Sequence, residues 1–165
     1  MARQPFDLAG LVLRSQHGPC FICGLVSGDS AYAHHVIAED DDHIVFLSKY
    51  PTLPGYTLVC PKAHIEDLAE DLTPAAYLHL QAVVHRVARA LKQVFAAERI
   101  YVLSLGSQDG NRHLHWHVAP LPAGVPYAQQ QYHALMAEHG VLKLSDAEMA
   151  EMAGRIRRAF DDLAV

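Results

Sequence analysis

Apolar residues recur along this chain with two different periods. From Arg112 to Pro120 they alternate with polar ones: His113, His115 and His117 are separated by Leu114 and Trp116, and Val118 follows. Successive side chains of an extended strand point to opposite faces. The pattern therefore predicts a half-buried strand over Arg112 to Ala119, with three imidazoles on one face and Leu114, Trp116 and Val118 on the other. Pro120 is expected to end that strand or mark an edge. His43 to Ser48 and Tyr56 to Cys60 read as an antiparallel pair of high β propensity, joined through Pro51 and Pro54-Gly55, the second stopped by Pro61. Shorter strands are expected over Ala33 to Ile37 and Ile100 to Leu105.

The second period is helical. Thr73 has the character of an N-cap, and Pro74 stands at the first helical position, where its missing N–H costs nothing. Tyr77, Leu80, Val84, Val87, Leu91 and Val94 then follow in steps of three and four, one continuous stripe, while His79, Gln81, Arg86, Arg89, Lys92 and Gln93 lie off it. Beyond the loop Pro120 to Pro126, Tyr127 to His139 and Ser145 to Leu163 have helical composition, and Ser145 with Glu148 forms a capping box. Residues 1–19 show no sustained period and predict an arm with at most one helical turn, around Leu8 to Leu13. The expected class is α+β: an antiparallel sheet, one long helix packed on it, and C-terminal helices.

Composition changes this picture in one respect. The chain has 165 residues, 51% of them apolar and 19% charged, with a net charge of −5, which suits one globular unit and predicts no nucleic-acid partner. No apolar run has the length of a membrane span or the flanks of a signal peptide, so a soluble, cytoplasmic protein is expected. Histidine is the outlier: twelve are present, against thirteen lysines and arginines. Three in register on one face repel one another if protonated, which favours neutral, hydrogen-bonded or metal-bound rings, and neutral imidazole is both a nucleophile and a ligand. From the residues alone, a polar sheet surface, a metal site and a catalytic site all remain open. Cys20-Phe21-Ile22-Cys23 is a knuckle of the kind that binds metal, works as a redox pair or occurs incidentally, with Gly24 giving it backbone freedom. Cys60 is a small apolar residue of a buried strand.

Several segments together resemble the histidine triad (HIT) superfamily of nucleotide hydrolases and transferases, in order and spacing. They are Phe46 to Pro51, the run Pro54-Gly55-Tyr56-Thr57-Leu58-Val59-Cys60-Pro61-Lys62-Ala63-His64, the helix from Thr73, and His113 to Val118. The match runs from Cys20 to about Pro122, dividing the chain into an N-terminal arm (1–19), a HIT-like catalytic domain (20–122) and a C-terminal helical extension (123–165). The resemblance implies a small α+β domain, usually a homodimer, that cleaves a nucleoside phosphate from a leaving group. The central histidine of the triad, here His115, is by the same resemblance the nucleophile, forming a nucleotidyl-histidine that water or another acceptor opens. His117 is placed to donate to a phosphate oxygen or to assist the leaving group. The turn before the triad offers Gly106, Ser107, Gln108 and the amides up to Asn111 as donors for the transition state, although the same residues make good turn chemistry anyway. Phe46, Ile44 and Ser48 are pocket positions by analogy.

Zinc-bearing bacterial members have ligands that look like Cys20, Cys23, His64 and His113, a sulfur and nitrogen set of the kind a closed structural zinc site uses. Such a site would tie the knuckle to the triad and remove His113 from direct catalysis. This chain departs from the family pattern at Ser48, where an acidic or amide residue usually meets the ribose. It departs also at Tyr56, usually histidine, at Ser104, often asparagine, and in a shorter segment before the triad. The alternative reading is a non-catalytic, zinc-containing nucleotide-binding or partner-binding module.

Overall fold

A computed structural model describes residues 1–163. Its centre is a five-stranded antiparallel sheet of β2 (Val36–Glu39), β3 (His43–Leu47), β4 (Thr57–Pro61), β5 (Arg99–Ser104) and β6 (Trp116–Leu121), ordered β2-β3-β4-β6-β5. The register is continuous through Val45↔Val59, Val59↔Trp116 and Val118↔Val102. The α+β class read from the sequence is the fold found.

The β3–β4 connection depends on Gly55. Its φ is +77°, and a Cβ there would stand 2.2 Å from the Phe95 ring, so both conformation and space require glycine. The long helix α3 (Pro74–Phe95) begins as expected, the Thr73 hydroxyl accepting from the Ala76 amide, and ends at Ala96 in the left-handed conformation. Its stripe of Leu80, Val84, Val87 and Leu91 packs with Val45, Val59, Trp116 and Val118 from one sheet face.

That stripe has a second partner. Helix α5 (Asp146–Asp162), opened by the complete Ser145–Glu148 capping box, brings Met149, Met152, Ile156 and Phe160 into the same core. Arg157 fastens it to the sheet by donating to the Ile37 carbonyl at 3.1 Å. Apart from Tyr77 at its start, which is exposed, the apolar face of α3 is thus packed within one chain.

Four local expectations are corrected. The triad strand begins only at Trp116, because β5 ends at Ser104 and leaves 112–115 without a ladder partner; these residues are held by loops instead, the Leu114 amide donating to the Ile65 carbonyl at 2.7 Å. Pro120 lies inside β6, but beyond Val118, the last residue paired with β4. The N-terminal arm contains a full helix, α1 (Leu8–His17), because Asp7 caps it by accepting from the Gly10 amide. The segment Tyr127–His139 forms no continuous helix: the short α4 (Tyr132–Leu135) lies between two 3₁₀ turns, with Gln131 at φ +54° before it. Tyr127 and Tyr132 are exposed, so no apolar stripe pays for a longer helix there.

The N-terminal segment is also tied down. β1 (Arg3–Gln4) pairs with β7 (Val141–Leu142), and Arg3 donates to the carbonyls of Gly140 and Thr52. No helix among the described residues is long and apolar enough to cross a membrane.

Candidate active site and metal centre

The sheet face opposite α3 carries the chemistry. Leu114, Trp116 and Val118 turn into the α3 core, which leaves His113, His115 and His117 together on the other side. The one-face placement holds although two of the three precede the strand. His113 and His115 are almost completely buried.

Which nitrogen of each ring is free follows from its backbone partner. His115 Nδ1 lies 2.7 Å from the His113 carbonyl oxygen, which can only accept, so Nδ1 carries the proton and Nε2 keeps its lone pair. His113 is the reverse: Nε2 donates to the Pro61 carbonyl at 2.9 Å, leaving the Nδ1 lone pair free. Burial holds both imidazoles below the ordinary value, and it lowers His117, with the neighbouring His115 as a lesser cause, to about 3. All three are neutral near pH 7. His115 and His117 stand edge to face, ring centroids 4.8 Å apart.

Around the His113 lone pair stand the expected metal donors. Cys20 Sγ lies 3.4 Å and Cys23 Sγ 3.6 Å from His113 Nδ1, and Cys23 Sγ lies 3.1 Å from His64 Nδ1. One donor atom from each of Cys20, Cys23, His64 and His113 falls within 4.8 Å of the others. Tetrahedral zinc, with Zn–S about 2.3 Å and Zn–N about 2.0–2.1 Å, sets sulfur and nitrogen about 3.5 Å apart, so the donor set fits that ion. The outer nitrogens are engaged as ligating histidines require: His113 Nε2 by Pro61, and His64 Nε2 by Glu66 Oε1 at 2.8 Å. The knuckle is the start of helix α2 (Phe21–Val26), with Cys20 as its N-cap. Burial, and next the hydrogen bond with Cys20, push the Cys23 thiol up to about 11.

His115 and His117 open onto a cavity of about 980 Å³. Ser48, Gln108 and Asn111 line it, as does the backbone at Gly110, where a Cβ would stand 3.0 Å from the Ser15 carbonyl of α1. Asn111 has φ +54°. Ser107 does not reach the cavity; its hydroxyl accepts from the Asp109 amide and braces the turn. Phe46 is wholly buried behind His34, ring centroids 4.8 Å apart, and does not line the cavity either. Ile44 is likewise buried, against Ile22. Ser104, in place of the family asparagine, donates to the His115 carbonyl at 2.9 Å.

Sequence reasoning missed the cavity's outer wall. Arg14 and His17 of α1, with Lys49, Tyr50 and Leu135, belong to it, and so do Phe21 and His34 nearer the triad. The Asp7 cap was the available signal for α1. Nothing in the local sequence said that this helix would lie over the triad. A second cluster of Asp40, His43 and His79 lies elsewhere on the surface, where His43 Nδ1 is already bonded to Asp40, so it reads as loop capping.

Comparison with known proteins identifies the family. The HIT domain model matches residues 30–123, more than half of the chain, and the chain belongs to that family. The family is one of nucleotide-binding hydrolases and transferases. An uncharacterized HIT-like protein of Saccharolobus solfataricus is 32% identical over 108 residues, which is 61% of this chain and 73% of the relative. Among solved structures, a hypothetical histidine triad nucleotide-binding protein of Sulfolobus tokodaii superimposes with a TM-score of 0.71 at 22% identity, covering 87% of this chain and 93% of that one, and shows the fold. A zinc-bound histidine triad family protein of Mycobacterium smegmatis superimposes with a TM-score of 0.67 at 26% identity, covering 87% and 94%.

Proposed function

We propose that this chain is a nucleotide hydrolase or transferase that cleaves a nucleoside 5′-phosphate from its leaving group through a nucleotidyl-histidine on His115. The observation that carries the reading is the 2.7 Å hydrogen bond from His115 Nδ1 to the His113 carbonyl, which leaves a buried, neutral Nε2 lone pair at the cavity. In the first step Nε2 bonds to the α-phosphorus and the bond from phosphorus to the leaving group breaks. The ring becomes cationic, and its Nδ1–H remains bonded to the carbonyl, which stabilises that charge. Water or another acceptor then bonds to phosphorus, the N–P bond breaks, and the nucleotide departs. His117 and the Gln108–Asn111 turn are the proposed donors to the phosphate oxygens.

Zinc is proposed on Cys20, Cys23, His64 and His113, where it would supply a rigid tie between the α2 knuckle and the triad. We also propose a homodimer. The α3 stripe no longer supports it, being buried under α5. The outer edge of β5 does: it is an end strand of the sheet, and Val102 and Leu105 are exposed there.

The test is a panel of adenosine and guanosine phosphoramidates and dinucleoside polyphosphates, with His115→Asn beside the wild type. A nucleotidyl adduct trapped on the wild type and absent from the variant is the expected result. Equal turnover by both proteins overturns the role of His115. Binding without turnover of any substrate selects the non-catalytic module.

A further inference from the structure

His113 and His115 each have a ring nitrogen held by a backbone carbonyl, but His117 is held by a phenol. Tyr56 Oη lies 3.2 Å from His117 Nδ1, the two rings edge to face with centroids 5.7 Å apart. The rest of Tyr56 is buried among Leu53, Ala119, Leu121 and Ala134. His117 is the only hydrogen-bond partner of this hydroxyl among the described residues. Tyr56 also borders the cavity, but His117 Nδ1 is the one protein acceptor within reach of its O–H among the described residues; were Nδ1 protonated, that O–H would have no protein acceptor, a state largely buried donors avoid. The phenol therefore donates, Nδ1 accepts, and His117 Nε2 bears the hydrogen.

No carboxylate forms an ion pair with His115 or His117 among the described residues. A histidine that must deliver a proton at neutral pH commonly has a carboxylate to stabilise its cation. This one has a neutral hydroxyl, whose own ionisation burial pushes up to about 12.

We propose that Tyr56 is a positioning residue that holds His117 as a neutral Nε2–H donor, and that the site consequently selects substrates whose leaving group departs as an anion, a phosphoanhydride above all, over amines. The proposal rests on the nucleotidyl-transfer reading and resolves the leaving group that it left open. With a phosphoanhydride, the bond from His115 Nε2 to phosphorus forms and the bridging P–O bond breaks. The electron pair leaves on the terminal phosphate oxygen of the departing chain. That oxygen needs only the hydrogen bond from His117 Nε2–H, and the proton stays on nitrogen throughout. With a phosphoramidate, the departing nitrogen is strongly basic and must gain a proton as P–N breaks. Taking it from neutral His117 would leave either an imidazolate or, by relay from Tyr56, a phenolate among apolar side chains.

The outer wall of the cavity suits the same class. Arg14 and Lys49 line it, and neither has a carboxylate within 4.0 Å among the described residues, so two cations are available to a polyphosphate chain on a protein of net charge −5.

The test compares kcat and KM for diadenosine tetraphosphate and adenosine 5′-phosphoramidate in wild type and Tyr56→Phe, together with the ¹⁵N shifts of His117 in the zinc-loaded wild type. The wild type is expected to prefer the anhydride by about 100-fold or more in kcat/KM, the size of one missing general-acid contribution. Tyr56→Phe should lower kcat on the anhydride about 10-fold with KM nearly unchanged, since the lost element acts in the transition state. The ¹⁵N shifts should show the proton on Nε2. Equal or faster turnover of the phosphoramidate, a proton on Nδ1, or an effect of Tyr56→Phe on KM alone each overturns the proposal. No turnover of either substrate, with no adduct on His115, is a different failure: it removes the enzymatic reading and the substrate preference with it, while the spectrum still decides the tautomer.

Discussion

His113 and His115 are two residues apart, both buried and both neutral, yet they are prepared for different chemistry. At His113 the Pro61 carbonyl takes the Nε2 hydrogen, and the free Nδ1 faces two thiols. At His115 the His113 carbonyl takes the Nδ1 hydrogen, and the free Nε2 is left at the cavity. One backbone oxygen on each ring decides which nitrogen is left free: Nδ1 toward the proposed metal donors at His113, and Nε2 toward the cavity at the proposed nucleophile His115. The difference shows that a row of like residues is read by the partners of each ring, since side chain and burial are shared.

The sharpest break of this comparison is His115→Asn. It removes the free Nε2 and keeps a polar side chain of smaller volume, while all four proposed zinc donors remain. Turnover is expected to fall by a factor of about 10⁴ or more, as when a covalent nucleophile is lost, with zinc content by elemental analysis unchanged. Loss of zinc together with activity would show that the two histidines are not separable.

The other end of the row is broken by Cys20→Ser. Serine is a better N-cap than cysteine, so α2 keeps or improves its start, and a stability change then reports the metal alone. We expect zinc loss and a destabilisation of about 3–5 kcal/mol in denaturant melts, with activity falling as the knuckle detaches. Unchanged zinc content and melting would remove the proposed site.

Protonation distinguishes the rings more gently. His117 is lowered in the folded state to about 3, with burial the main cause, whereas the unfolded chain titrates it near 6.5. The unfolded state binds more protons between those values, so the stability this neutral ring contributes is intact above about 6.5 and is lost progressively as pH falls toward 3. Its limiting slope is about 1.4 kcal/mol per pH unit. Urea melts across that window should show a shallower acid loss for His117→Gln than for the wild type, and equal slopes would mean that folding does not lower the His117 pKa.

How much of this was legible in the sequence follows the range of the interactions involved. The one-face triad, the α3 stripe and its Thr73-Pro74 start and the capping box of α5 depend on local period or spacing and were readable, while the clustering of Cys20, Cys23, His64 and His113 was legible only through the family resemblance. The start of β6 was not, because it depends on where β5 stops. Phe46 looked like a pocket residue because its strand alternates, but the His34 ring lies over it, a contact between distant segments. The wall made by α1 and the burial of the α3 stripe under α5 are tertiary placements that no local signal announces. Tyr56 stood out only as a departure from a family pattern, and its hydroxyl's contact with His117 is visible only in three dimensions.

Ser104 gives the smallest expected effect and refines the comparison most. Its hydroxyl donates at 2.9 Å to the carbonyl of His115 itself, one residue beyond the Ser104↔Trp116 pair that ends the β5–β6 ladder. The ring tautomer of His115 depends on the 113–115 backbone keeping its shape, because the accepting carbonyl belongs to His113. Removing the Ser104 donor should let that segment shift without altering any ring or metal donor. Ser104→Ala is expected to cost about 1 kcal/mol of stability, the usual net value of one such hydrogen bond. It should lower kcat about 3- to 10-fold by misplacing the nucleophile, with zinc content unchanged. Ser104→Asn should recover kcat if its amide reaches the same carbonyl. A fall in zinc content in Ser104→Ala would place this hydrogen bond on the His113 side of the divide.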